Sequence, residues 1–288
     1  MRTIALTAVV SLVLSTMVAL PAPGAAMPLP AGSSERRLSL ADARLTVFTY
    51  RPACRDPSLL LVFHGQGHNA ADYRDWARPL ADKHCMLVVA PRFSKSQFPR
   101  WRYQHGGIAR DGEVQDPREW SGRLIPELAE RIQQLEGRKM PYSLIGHSAG
   151  GQFLSRLAAF TPTQARRIVI ANPGTHVLPD PKIEAPYGFG GVYASNDVDK
   201  ELRRYLGTPI TIFLGHDDTD EEGLSTSPEA NAQGPTRHER GLNAFKAAQS
   251  LAQARGWPFN WRLVEVPGVG HKAKKMFAAP EASAALKP

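Results

Sequence analysis

The chain has 288 residues, of which 42% are hydrophobic and 22% charged, with 24 glycines and 24 prolines. That profile belongs to a globular protein and excludes collagenous, coiled-coil and disordered classes. The formal charge of +8 is spread along the chain, apart from a small cluster at Lys272, Lys274 and Lys275. No DNA- or RNA-binding motif accompanies it, so the charge reads as a solvated basic face and no nucleic-acid partner is expected.

Arg2 precedes the apolar stretches Ile4 to Leu14 and Met17 to Leu20, followed by Pro21, Pro23, Gly24, Ala25 and Ala26. This order predicts an export signal over residues 1–26, cut near Ala26, and hence a periplasmic or secreted protein with no stable membrane anchor. No later stretch is long enough to span a bilayer. Residues 27–35, rich in Pro, Gly and Ser, predict a flexible lead-in, and 36–288 a single α/β domain. The only two cysteines, Cys54 and Cys85, each precede an apolar run. In an exported chain they are either a structural disulfide, at the end of the sheet away from catalysis, or two separate buried thiols. Closing a loop of about 31 residues would stabilise the fold by roughly 3 to 4 kcal/mol.

Alternation over Arg44 to Tyr50 predicts an antiparallel edge strand. Short apolar runs then follow at Leu59 to Phe63, Leu87 to Ala90, Tyr142 to Ile145, Ile168 to Ala171, Ile210 to Leu214 and Leu263 to Val266, as in strands buried on both faces. Helical patterns separate them. Asn69 is placed to cap a helix with Tyr73, Trp76 and Leu80 on one face. Asp116, Pro117 and Glu119 start a second, with Trp120, Leu124, Leu128, Ile132 and Leu135 inward and Pro126 expected to kink or split it. Thr236 and Glu239 have capping-box spacing, with Gly256 as the stop. The alternation predicts a mostly parallel central sheet with helices on both faces. The Gly- and Pro-rich stretch Asn172 to Asn196 reads as a cap or binding loop.

The chemistry concentrates at Gly146, His147, Ser148, Ala149 and Gly150, a G-x-S-x-G between an apolar strand and a helical pattern. A tight turn there raises the serine hydroxyl above the sheet, with glycines to let neighbouring backbone pass and a helix N-terminus to favour developing negative charge. A serine hydroxyl needs a general base, and the base a partner that fixes its tautomer. Both are expected at strand carboxyl ends, where Gly215, His216, Asp217 and Asp218 follow one run and Gly268, Val269, Gly270 and His271 another.

With those motifs in the order Ser, Asp, His, together with His64-Gly65-Gln66-Gly67, the chain resembles an α/β-hydrolase over residues 40–280. Its finer features are similar to the secreted esterase branch that includes polyhydroxyalkanoate depolymerases and feruloyl or acetylxylan esterases. The resemblance implies Ser148 as nucleophile, His271 as base and then acid, and Asp218, three residues after Gly215, as orienting carboxylate in preference to Asp217. It implies oxyanion donors at the backbone N–H groups of Gln66 and Ala149, and His64 as a brace for its loop. His147 is expected to pack beside the serine.

Phe93, Phe98, Trp101, Tyr103 and His105 suggest an aromatic wall for substrate, with Trp101 and Tyr103 as binding residues and Tyr187 and Phe189 as weaker candidates. No metal is expected, because the acidic run Asp217, Asp218, Asp220, Glu221 and Glu222 lacks calcium-loop spacing, and no cofactor is implied. The sequence thus predicts an exported serine hydrolase acting on small-molecule or polymeric esters, with an amide or peptide hydrolase of the same fold, or a noncatalytic binding protein on that scaffold, as alternatives. It leaves the oligomeric state open.

Overall fold

The computed structural model describes residues 27–287, so the export-signal reading of 1–26 lies outside the described residues. Strands β1 (Gly32–Ser39) and β2 (Arg44–Arg51) form a hairpin, and β3 (Ser58–Phe63) leads through helices α1 (Ala70–Trp76) and α2 (Arg78–His84) to β4 (Met86–Arg92). A short α3 (Arg100–Tyr103) and a ribbon of β5 (Ala109–Arg110) with β6 (Glu113–Val114) precede α4 (Leu124–Glu136). The chain continues as β7 (Tyr142–His147), α5 (Ala149–Phe160), β8 (Ile168–Ala171), α6 (Ser195–Gly207) and β9 (Ile210–Gly215). It ends through α7 (Pro228–Asn231), α8 (Arg237–Arg255), β10 (Arg262–Val266), α9 (Ala273–Ala278) and α10 (Glu281–Leu286).

The main sheet has the order β1-β2-β4-β3-β7-β8-β9-β10. Strands from β4 to β10 in that order run parallel, and β1 and β2 add antiparallel pairs at one side. Successive side chains of β3 leave on opposite faces. Leu59, Leu61 and Phe63 join a core with α4, α5, α6 and α8, while Leu60 and Val62 join one with α1, α2, α9 and α10. Each fully buried aliphatic there contributes about 1.5–3 kcal/mol of transfer free energy, which explains why unbroken apolar runs mark these strands.

Three expectations are corrected. Residues 32–35 are not a flexible lead-in but half of β1, paired through Glu35 opposite Phe48 and Ser33 opposite Tyr50. Leu29 just before it is 2% exposed, with its N–H donating to Glu136 and its carbonyl accepting from Arg51. β2 is therefore an inner strand, not the edge. In the segment after Asp116, the helix does not break at Pro126, which sits in the first turn of α4 where its missing N–H has no intrahelical partner to lose. The break is at Trp120, whose backbone is extended between two single 3₁₀ turns, the first capped by the Asp116 carboxylate accepting from the Arg118 N–H.

The Thr236 side chain caps α8 by accepting from the Glu239 N–H, and Gly256 ends it at φ 60°. Cys54 and Cys85 are joined in a disulfide with Cα atoms 5.9 Å apart, at the amino-terminal ends of β3 and β4. No helix among the described residues is long and apolar enough to cross a membrane.

Candidate active site

The turn from β7 into α5 places Ser148 at φ 57° and ψ −117°, a conformation L-residues rarely adopt. Close packing forces it. A Cβ at Gly150 would lie 2.4 Å from the Phe63 carbonyl oxygen and one at Gly146 2.5 Å from that of Gly150, so only glycine lets β3, β7 and α5 approach at this corner. The Ser148 N–H donates to the Ala171 carbonyl at 3.0 Å, fixing the turn against β8.

His271, on the turn after β10, has Nε2 3.0 Å from Ser148 Oγ and Nδ1 2.7 Å from Asp218 Oδ2. An ionised carboxylate only accepts, so Nδ1 carries the proton and Nε2 is left to accept from the serine hydroxyl. Asp218 is fully buried, whereas the Asp217 side chain is 56% exposed and faces His216. The loop after β9 is held by its own backbone: the Asp218 N–H donates to Gly215 and the Asp217 N–H to Val269.

No protein-family model matches the chain, and no curated protein matches it. Among solved structures it is similar to a poly(3-hydroxybutyrate) depolymerase from Bordetella parapertussis, at 34% identity and a TM-score of 0.80 over 88% of this chain and 89% of that one. The chain belongs to the α/β-hydrolase superfamily. A poly(aspartic acid) hydrolase from Sphingomonas sp. KT-1 is similar at 32% identity and a TM-score of 0.82, over 88% of this chain and 98% of that one. A thermostable esterase shares the fold at 14% identity and a TM-score of 0.53, over 88% of this chain and 62% of its own.

In this α/β-hydrolase chain, Gln66 and Ala149 border a cavity of about 190 Å³ beside Ser148, with Arg100, Gln104, Gln152 and Arg237 among its other walls. As the first residue of α5, Ala149 offers an N–H with no carbonyl a turn earlier to receive it. The Gln66 loop is braced by His64, whose Nδ1–H donates to the Gly65 carbonyl at 2.8 Å and whose Nε2 accepts from the Phe93 N–H at 3.0 Å. Burial pushes the His64 imidazole down to about 4, so it stays neutral and keeps that acceptor.

His147 packs its ring 4.5 Å from that of His271. Burial, and after it the neighbouring His271, hold it well below the usual imidazole range. That makes it a poor base, and the Ser148 hydroxyl is bonded to His271 instead.

The residues of the expected aromatic wall fall in different places. Tyr103 is 1% exposed, stacks on Phe93 and Phe153, and spends its hydroxyl on the His64 carbonyl at 2.8 Å. It supports the Gln66 loop from beneath and, with Phe98, borders a second cavity of about 290 Å³ beside Gln66 and Arg100. Phe93, Phe98 and Phe189 are likewise buried. Trp101 and Tyr187 do not border the cavity at Ser148. They line a separate groove of about 610 Å³ with His105 and Arg110.

The stretch 172–196 is pinned from within the fold: buried Arg156 donates to the carbonyls of Thr175 and Pro186 and to the Thr175 hydroxyl. Another concavity, of about 860 Å³, lies by Met140, Pro141 and Arg166, at the amino-terminal ends of β7 and β8 and away from Ser148.

The sequence reading missed Arg100, Gln104, Gln152 and Arg237. Arg237 Nη1 lies 3.5 Å from Asp218 Oδ1 and donates to the Asp220 carbonyl at 2.9 Å, while Nη2 donates to that of Glu222. It ties the acid-bearing loop to the start of α8. Among the described residues no group of three or more His, Cys, Asp or Glu side chains is arranged to hold a metal ion.

Proposed function

We propose that this chain is an exported serine hydrolase that cleaves carboxylic esters through an acyl-enzyme on Ser148. The observation that carries this reading is the unbroken proton path from Ser148 Oγ through His271 to buried Asp218, at 3.0 and 2.7 Å. Ser148 Oγ attacks the ester carbonyl carbon as its proton passes to His271 Nε2, and Asp218 stabilises the resulting imidazolium. The oxyanion is received by the N–H groups of Gln66 and Ala149, each such donor being worth about 3–4 kcal/mol. Collapse breaks the ester C–O bond, and His271 returns the proton to the departing alcohol. Water, deprotonated by His271, then attacks the acyl carbon and releases the acid and free Ser148. Export accords with the apolar leader and with the disulfide, a bond that persists in oxidising compartments.

The similarity to a poly(3-hydroxybutyrate) depolymerase supports an ester substrate, small or polymeric. The similarity to a poly(aspartic acid) hydrolase favours a second reading, hydrolysis of an amide, since the same nucleophile and base serve both. A panel of p-nitrophenyl esters against peptide p-nitroanilides separates them. Ester turnover that Ser148→Ala removes is expected; turnover of anilides alone defeats the ester assignment.

A further inference from the structure

The cavity beside Ser148 has a neighbour of about 290 Å³, and the two share Gln66, Arg100 and Gln104 in their walls. Arg237 contributes to the first and Lys95 to the second, and neither wall contains an Asp or Glu. Arg237 is committed, to Asp218 and to loop carbonyls. Arg100 is not. Its guanidinium reaches one neutral group, Ser225 Oγ at 3.2 Å, and among the described residues no carboxylate stands within ion-pair distance of Arg100 or Lys95. The remaining walls of the first cavity are polar, with Leu224 the one large aliphatic residue beside Ser148, while Phe98 and Tyr103 add aromatic surface to the second. Such a pocket offers little to a long hydrocarbon acyl chain and much to an anion, because a guanidinium binds a carboxylate through two parallel N–H donors.

We propose that the joined cavities select esters carrying a carboxylate a few atoms from the scissile bond, with Arg100 and then Lys95 receiving that charge. The proposal rests on the hydrolase reading of Ser148 and names its substrate class. Short hydroxyacid oligomers have this chemistry, since each ends in a carboxylate. Hydrolysis of the last ester bond consumes one water and yields a shortened acid and a free hydroxyacid.

The test compares two esters that differ chiefly in charge: the butanoyl ester of 3-hydroxybutanoate, and that of its N-methylamide. The expected kcat/KM ratio favours the anion by about tenfold or more, as a charge-assisted contact gives, and it shrinks in high salt because Arg100 is exposed. Arg100→Gln should bring the ratio to within about threefold of unity, and Arg100→Lys should keep a clear preference. A merely structural Arg100, strapping its loop to Ser225, would slow both esters alike and leave the ratio unchanged, which would overturn the assignment. A wild-type ratio near one, with fluorophosphonate still labelling Ser148, overturns this proposal and spares the hydrolase reading. Absence of both labelling and turnover overturns the two together.

Discussion

Asp217 and Asp218 are neighbours in sequence and opposites in surroundings. One is half in solvent beside His216, the other wholly buried against His271 and Arg237. Composition cannot separate them; the resemblance to the α/β-hydrolases did, by placing the acid three residues after Gly215, where the Asp218 N–H closes a turn onto the Gly215 carbonyl. Asp218→Asn should lower kcat by about 10³–10⁴-fold, by favouring the wrong imidazole tautomer, whereas Asp217→Asn, a surface change, should stay within about twofold. Steady-state kinetics of the two variants decide it, and equal losses would contradict the assignment. Ser148, His271 and Asp218 were legible because each follows a strand end and a glycine-marked turn. Arg100 and Arg237 were not. They are two of 35 basic residues, and nothing local distinguishes a cation that faces a cavity from one that faces water.

At the scale of elements, periodicity reported burial faithfully and its purpose poorly. The runs at Leu59 to Phe63 and Ile210 to Leu214 became interior strands because residues apolar on both faces have only a two-faced core to enter. Residues 93–107 divide between two purposes. Phe93 and Tyr103 pack against Phe153 of α5, while Phe98 and Tyr103 also border the cavity at Arg100. Loop and core aromatics look alike in sequence, and what separates them is the depth of the backbone beneath. β1 escaped notice for the converse reason. Its Ser-, Glu- and Arg-rich pattern suits an exposed edge strand, whose identity comes from pairing with β2 and not from its own hydrophobicity.

For the molecule as a whole, the parallel sheet gathers every strand end that carries chemistry on one side, while the Cys54–Cys85 link ties the other. That organisation also buries histidines as neutral groups. Burial holds His64 near 4 and, helped by Arg156, holds His105 and His176 near 3, against an ordinary value of 6.5. Above pH 6.5 folded and unfolded chains both leave these rings neutral, so they add no pH dependence. Below it the unfolded chain takes up protons that the folded chain refuses, and stability falls as pH drops from about 6.5 toward 4, by up to about 1.4 kcal/mol per pH unit for each ring. Thermal melts should show a lower Tm at pH 5 than at pH 7.5; a flat or rising Tm over that interval would contradict it.

The central claim is that Ser148 is a nucleophile activated by His271, and a fluorophosphonate probe with the adduct located by peptide mass spectrometry tests it most directly. The account predicts one phosphonyl group per chain, on Ser148, formed far more slowly in His271→Ala. An unlabelled chain, or an adduct on another residue, would contradict it.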